Sequence, residues 1–260
     1  MAISRSQLLK ELLPGLNALF GLEYAKYGEE HKEIFESETS DRSFEEETKL
    51  SGFGAAGTKA EGASIEYDTA QEAFTARYTH ETVAMGFSIT EEAIEDNLYD
   101  SLSGRYTKAL ARAMAYTKQV KAANILNTAF TQTYGDGKWT DERGLKIAAR
   151  PKKLIIPSDL QFVATRLLET EGRVGTADND INAIASNGVV PGGYAVNHYL
   201  TDTGNWFLTT DIPNGLKHFT RSKMSTSMDA DFDTGNSRYK ARERYSFGVS
   251  DPLAMFGCGS

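Results

Sequence analysis

The chain has 260 residues, a formal net charge of −8 and 40% apolar residues, which allows one large domain or two small ones with enough material for a core. Its acidity excludes a main role in gripping nucleic acid through phosphates, though not in surrounding DNA without holding it. The single cysteine, Cys258, excludes a disulfide within the chain and points to a reducing compartment.

The N-terminus carries Arg5, Lys10 and Glu11 with no cleavage pattern. No stretch reaches the roughly 18 apolar residues of a membrane span, so a protein of the cytosol is expected. Residues 4–13 read as an amphipathic helix with Leu8, Leu9, Leu12 and Leu13 on one face and Ser4 or Ser6 as cap. Pro14-Gly15 is expected to interrupt it before a second helix over 16–27, with Leu16, Leu19, Phe20, Tyr24 and Tyr27 apolar. Such an arm packs on its own domain or docks on a neighbouring chain. Leu8, Leu12 and Phe20 are its candidate contacts.

Residues 34–62 differ in character. Glu36, Glu38, Asp41, Glu45, Glu46 and Glu47 precede a glycine-rich stretch with Gly52, Gly54, Gly57 and Gly62. Neither the GxxxxGK[ST] phosphate loop nor the dinucleotide glycine spacing occurs. The segment reads as the arm and tip of a long projecting hairpin, with Phe53 at the tip. The return arm covers 73–89. Phe74, Ala76 and Tyr78 alternate with Thr75, Arg77 and Thr79. After His80 the phase changes to Val83, Met85, Phe87 and Ile89, which predicts a bulge or twist in one long strand.

Thr90 caps the next helix, with Glu91 and Glu92 in its first turn. Residues 102–130 read as one helix of about 42 Å, with Leu98, Leu102, Tyr106, Ala109, Ala113 and Val120 at helical spacing and alanines that let a sheet approach. Residues 153–157 are a short buried strand, 158–169 a helix capped by Ser158 or Asp159, and 179–193 loop. Residues 194–200, 205–210 and 216–219 read as strands, and 222–235 as polar chain. Residues 238–249 form a last strand of about 40 Å, where Tyr239, Ala241, Glu243, Tyr245, Phe247 and Val249 alternate with Arg238, Lys240, Arg242, Arg244 and Ser246. A helix and a strand of equal reach make an elongated spine.

No catalytic set emerges. His31, His80, His198 and His218 stand at no metal-ligand spacing, one cysteine cannot build a zinc cluster, and GxSxG is absent. Glu91-Glu92 is explained by the helix dipole. Glu45-Glu46-Glu47 reads as a solvated or subunit-facing charge run. The row ending in Arg242 and Arg244 pairs with carboxylates of a neighbour or faces DNA. No cofactor or metal is implied.

The order of elements, with several local stretches, resembles the HK97-type major capsid proteins of tailed phages, and within them a Mu-like major head subunit branch. The stretches are Glu72-Ala73-Phe74-Thr75-Ala76-Arg77-Tyr78-Thr79-His80-Glu81, Pro151-Lys152-Lys153-Leu154-Ile155-Ile156-Pro157, Val196-Asn197-His198-Tyr199-Leu200-Thr201-Asp202 with Trp206-Phe207-Leu208, and Arg242-Glu243-Arg244-Tyr245-Ser246-Phe247-Gly248-Val249-Ser250-Asp251-Pro252. The resemblance implies an α+β fold: an N-terminal arm (1–35), an extended E-loop hairpin (36–82), a peripheral domain with the spine helix (83–150 and 236–260) and an axial domain (151–235). It implies a shell subunit forming hexamers and pentamers of an icosahedral head around double-stranded DNA, without sequence-specific binding. Its site would be the inter-subunit residues Leu8, Leu12, Phe20, Glu45, Glu46, Glu47, Phe53, Arg77, Arg242 and Arg244. Portal, a separate scaffolding protein and decoration proteins are the implied partners, with assembly in the host cytoplasm. Family members carry a longer segment where this chain reads Gly135-Asp136-Gly137-Lys138-Trp139-Thr140. Some cross-link a hairpin lysine to a neighbour's asparagine. Lys49 and Lys59 lie in that region, but no acceptor or catalytic acid matches, so the resemblance does not extend to cross-linking. Two other readings are an encapsulin-like compartment with enzyme cargo and a soluble enzyme or ligand-binding protein.

Overall fold

The computed structural model describes residues 5–95, 99–131, 147–172, 180–231 and 234–259. The junction at 135–140 and the Leu98 and Leu8 side chains lie outside the described residues. The elements are α1 (Arg5–Lys26), β1 (Glu36–Thr39), β2 (Phe44–Leu50), β3 (Glu72–Thr79), β4 (Glu81–Ile89), α2 (Glu91–Glu95), α3 (Tyr99–Asn127), β5 (Pro151–Ile156), α4 (Gln161–Leu168), α5 (Ala183–Ser186), β6 (Tyr194–Val196), β7 (Trp206–Thr210), β8 (Leu216–Ala230), β9 (Ser237–Val249) and β10 (Met255–Cys258). They build an α+β fold, with three sheets among the described residues. The main sheet has the order β1-β8-β9-β4, a second has β10-β7-β5-β6, and β2 and β3 form a separate hairpin.

The spine pairs α3 with the central strand β9. On one face of β9 Tyr239, Ala241, Glu243 and Tyr245 are buried. Leu110, Ala111 and Met114 of α3 and Leu16 and Phe20 of α1 close the same cluster. The buried stripe of α3 is Ser103, Thr107, Leu110, Ala111, Met114, Ala115, Gln119, Ala122, Ala123 and Leu126. This corrects the expected stripe, since Tyr106 and Ala109 are exposed. Small side chains let the helix sit close to two surfaces at once, and that outweighs the pull of one large aromatic. Farther along, Leu126 and Ala122 meet Phe35, Ile155, Phe207 and Leu216, which joins the second sheet to the first.

Three further expectations change. Helix α1 runs unbroken through Pro14. Proline removes one backbone hydrogen bond, and packing of the following turns, Leu16 and Phe20, against α3 offsets that loss. Strand β8 covers 15 residues, not four. Its polar half alternates cleanly, with Met224, Thr226 and Met228 half-buried toward the helices and Lys223, Ser225 and Ser227 exposed. Serine and threonine masked that period. Nor do Ser158 and Asp159 cap α4: they lie in a short 3-10 turn, and the residue before the helix, Leu160, makes no side-chain cap.

Two strands late in the chain join different sheets. β8 belongs to the helix-backed sheet with β9, whereas β10 pairs with β7 in the second sheet. The phase change at His80 is a change of sheet. β3 pairs with β2, and β4 pairs with β9. Met85 stays exposed at the open edge while Val83 and Phe87 pack inward.

Candidate assembly surfaces

The hairpin is the feature that stands out from the body. Every residue from 52 to 71 is exposed. Gly52 and Gly62 take φ values of +67° and +82°, which other residues rarely adopt. The tip closes on itself: the Asp68 carboxylate accepts from Gly54 N–H at 2.7 Å, and Gln71 N–H donates to Ser51 Oγ at 3.1 Å. Phe53, Ile65 and Tyr67 (93% exposed) stand in solvent.

Its base is tied down. Lys217, only 4% exposed, bridges Glu47 and, at 3.1 Å, Glu38. Burial alone pushes this ammonium down, but its two carboxylate partners outweigh that and hold it above the ordinary lysine value. Glu47 also accepts from Ser250 Oγ, which bonds Tyr78 Oη. Lys49 meets Asp251 at 3.0 Å. His80 sits at the corner between Ser40 and Ser246, at 2.9 and 3.0 Å. The Tyr78 ring lies so close to Gly248 that a Cβ there would come within 2.6 Å of it. Replacing Lys217 by methionine leaves Glu47 and Glu38 without their buried cation. We expect a loss on the order of 3 kcal/mol in unfolding free energy, read by urea denaturation.

The three hairpin carboxylates, Glu45, Glu46 and Glu47, therefore divide. Glu47 is held within the chain by Lys217 and Ser250, and Glu45 by Ser40 at 2.7 Å. Glu46 and Arg77 face each other across the hairpin at 3.5 Å, both open to solvent, with the Arg77 guanidinium 3.9 Å from the Phe44 ring centre. Phe20 is 3% exposed and belongs to the chain's own core, and Leu12 packs half-buried beside it. Sequence reasoning passed over Lys217, Ser40, Ser250 and Asp251. The signal was present in Ser250-Asp251-Pro252, where Asp251 also accepts from Leu253 N–H and starts a turn.

The uncovered face of the main sheet carries a basic row. Arg238, Lys240 and Arg242 are exposed and Arg244 half-buried. Opposite them on β4 stand Ser88, Gly86, Ala84 and Thr82, and on β8 Asp229, Ser227, Ser225 and Ser222. The β4 flank is entirely small, while the β8 flank also carries Asp229 and the exposed Lys223. Arg238 pairs with Asp231, and Arg244 donates to the His80 carbonyl at 3.4 Å. Among the described residues no ion pair engages Lys240 or Arg242.

On the helix side, a polar cluster is sealed beneath the row. His31 and His218 meet edge to face, ring centres 5.1 Å apart, and His218 stacks on Phe247 at 4.4 Å. Gln119 bonds His31 and Ser37 bonds His218. Lys118 reaches Glu243 at 3.4 Å. The Nε2 atoms of both histidines are buried with no hydrogen-bond partner. Burial, reinforced by Lys118, lowers His31 to about 4 and His218 to about 3.

A second uncovered patch lies beyond the second sheet. Phe162 (85% exposed), Val163 and Leu167 of α4 stand open with Ile181, Ile184 and Val189. Among the described residues no cluster of metal ligands exists, and no helix is long and apolar enough to cross a membrane.

A long helix on a long-stranded sheet, a tethered projecting hairpin and a second sheet together form the HK97-like capsid fold. Solved structures of that fold match the whole architecture. The virus-like particle from Pyrococcus furiosus gives a TM-score of 0.59 at 12% identity, covering 96% of this chain and 100% of that one. The capsid of the native GTA particle gives 0.57 at 14%, covering 88% and 89%. The procapsid of bacteriophage JBD30 gives 0.55 at 15%, covering 99% and 76%. At these identities the likeness speaks to fold. No curated protein sequence matches significantly. The model of the phage capsid protein family matches residues 72–257. The chain belongs to the phage capsid protein family, and its role is that of a major capsid subunit, a structural part of a shell. That favours the phage shell over a cargo compartment or a soluble enzyme.

Proposed function

We propose that the chain assembles as hexamers and pentamers into the icosahedral head of a tailed phage and encloses double-stranded DNA without reading its sequence. The observation that carries this reading is the hairpin. Its base is fixed by buried ion pairs and its tip exposes Phe53, Ile65 and Tyr67, an arrangement with little use in a monomer. Laid over an adjacent subunit, the tip would bury those side chains, with exposed Glu46 and Arg77 available at the rim. The N-terminal arm, taken as 1–35, would use Leu8 and the exposed part of Leu12 toward another copy. The apolar patch around Phe162 would meet its equivalents at the capsomer centre.

Such a shell draws stability from many modest contacts repeated by symmetry. Its assembly would take place in the host cytoplasm, with portal, separate scaffolding and decoration proteins as partners, and its role carries no catalysis. Likeness to a structure solved as a procapsid supports a separate scaffold. Co-expression with candidate scaffold and portal genes tests this: nuclease-protected DNA within closed particles supports it, and particles that enclose only protein cargo would turn the reading toward a compartment.

A further inference from the structure

We infer that the outward face of α3 is the seat for an acidic amphipathic helix of a second protein. The chemistry of that partner is read from the helix itself, while its role as an assembly partner rests on the shell reading above.

α3 carries two apolar stripes and buries one of them. Leu102, Tyr106, Ala109, Ala113, Tyr116 and Val120 follow one another at intervals of 4, 3, 4, 3 and 4 residues, the repeat of a helix that packs lengthwise on another helix. At ~1.5 Å per residue the seam runs about 27 Å. On a straight helix such a seam drifts by only about 20° per heptad, so it stays on one face. That face is turned away from the core. Tyr106, Ala109 and Tyr116 are exposed, and Leu102, Ala113 and Val120 are half-buried. The solvent face of a surface helix is normally polar, and this one is not. Ala109 and Ala113 make a low floor on which a partner backbone can come close. Tyr106 is braced by Phe87, ring centres 5.6 Å apart, and Tyr116 by Tyr199 at 5.8 Å. Side chains already held cost less to order on binding.

Charge selects the partner. Residues 101–127 carry Arg105, Lys108, Arg112, Lys118 and Lys121 and no acid, in a chain of net charge −8. Lys118 is engaged by Glu243 and Lys121 by Glu81. On the α1 side Arg112 donates to Tyr27 Oη at 2.7 Å. Glu23 of α1, bound to Lys26 at 2.8 Å, lies within electrostatic range of Lys108 and Arg112. Among the described residues no ion pair engages Arg105 or Lys108. Arg105 and Arg112 each precede a seam residue and stand one heptad apart, where charge sets the partner of paired helices. A second copy of α3 offers no acid to them between 101 and 127, whichever way it runs. Nucleic acid would use the cations but not Leu102, Ala109, Ala113 and Val120. An acidic helix with an apolar seam answers both.

The test uses the purified chain and a synthetic three-heptad peptide with leucine at the two seam positions and glutamate on both flanks. Binding is read by fluorescence anisotropy, and the fold of every variant by circular dichroism. The peptide should bind saturably, and Arg105→Glu/Lys108→Glu, at two exposed positions, should weaken it about tenfold or more. Ala109→Glu/Ala113→Glu should abolish binding, and a peptide with lysine in place of glutamate should not bind. In co-expression with the scaffold, Ala109→Glu/Ala113→Glu should lower particle yield about tenfold or more, since the contact recurs in every copy.

A peptide that does not bind, or binds the Ala109→Glu/Ala113→Glu chain equally well, overturns the inference. So does a wild-type chain that dimerises through the seam, or duplex DNA that binds at Arg105 and Lys108 while the peptide does not. Normal particle yield from the Ala109→Glu/Ala113→Glu chain overturns the assembly role. A wild-type chain that binds the peptide yet forms no particles with its scaffold would remove the shell reading and leave the seat standing.

Discussion

A chain lacking residues 51–62 should fold and melt much as the full-length protein does, yet form no shells. The segment is exposed throughout, and the core clusters of the body contain none of its residues. The fixed points of the hairpin lie outside the deletion, in Glu47, Lys49, Tyr78 and His80 with Lys217, Ser246, Ser250 and Asp251. Residues 63–71 remain to close β2 onto β3. Deleting exposed residues of this kind changes unfolding free energy by roughly 0.5 kcal/mol or less. Assembly is a different matter, because the deletion removes Phe53 and half of the tip from every copy. Sedimentation and calorimetry separate the two effects. Shells of normal size and stability from this variant would refute the hairpin's role.

Acid should destabilise the fold well above the range where surface carboxylates titrate. His31 and His218 are buried and neutral, with folded values near 4 and 3 against about 6.5 in the unfolded chain. Between those limits the unfolded state binds more protons, so stability rises with pH across the window. The contribution is complete above pH about 6.5 and is lost as pH falls toward the folded values. At about 1.4 kcal/mol per unit, the pair accounts for several kcal/mol in all. Glu243 acts in the opposite sense: burial raises it, so protonating it on the way down favours the folded state. The net is set by the two histidines, which outnumber it and have Lys118 beside them. Replacing both by glutamine should flatten the dependence of the melting temperature on pH between about 6.5 and 4. An unchanged slope in that variant would remove the histidines as its source.

The path from sequence to this account differs between elements. Strand β9 was legible because its two faces differ completely, aromatic and aliphatic against basic. The hairpin was legible from its acids and glycines, and the corner at His80 from a shift of phase. Helix α1 was misread at Pro14, since a local rule about proline competes with packing that only the folded chain reveals. The polar half of β8 was hidden because serine and threonine fit strand, loop and turn alike. Lys217 and Glu47 were invisible as a pair: 170 residues separate them, and nothing in either local pattern marks a buried cation. The same holds for Phe20, whose place in a helical stripe does not say whether its partner is the same chain or the next one.

Electron microscopy of the purified chain, with its scaffold where needed, addresses the central claim most directly. The account predicts closed icosahedral shells, or rings of five and six subunits, with the hairpin density of each subunit crossing onto its neighbour. A homogeneous monomer under all conditions, scaffold included, would contradict it.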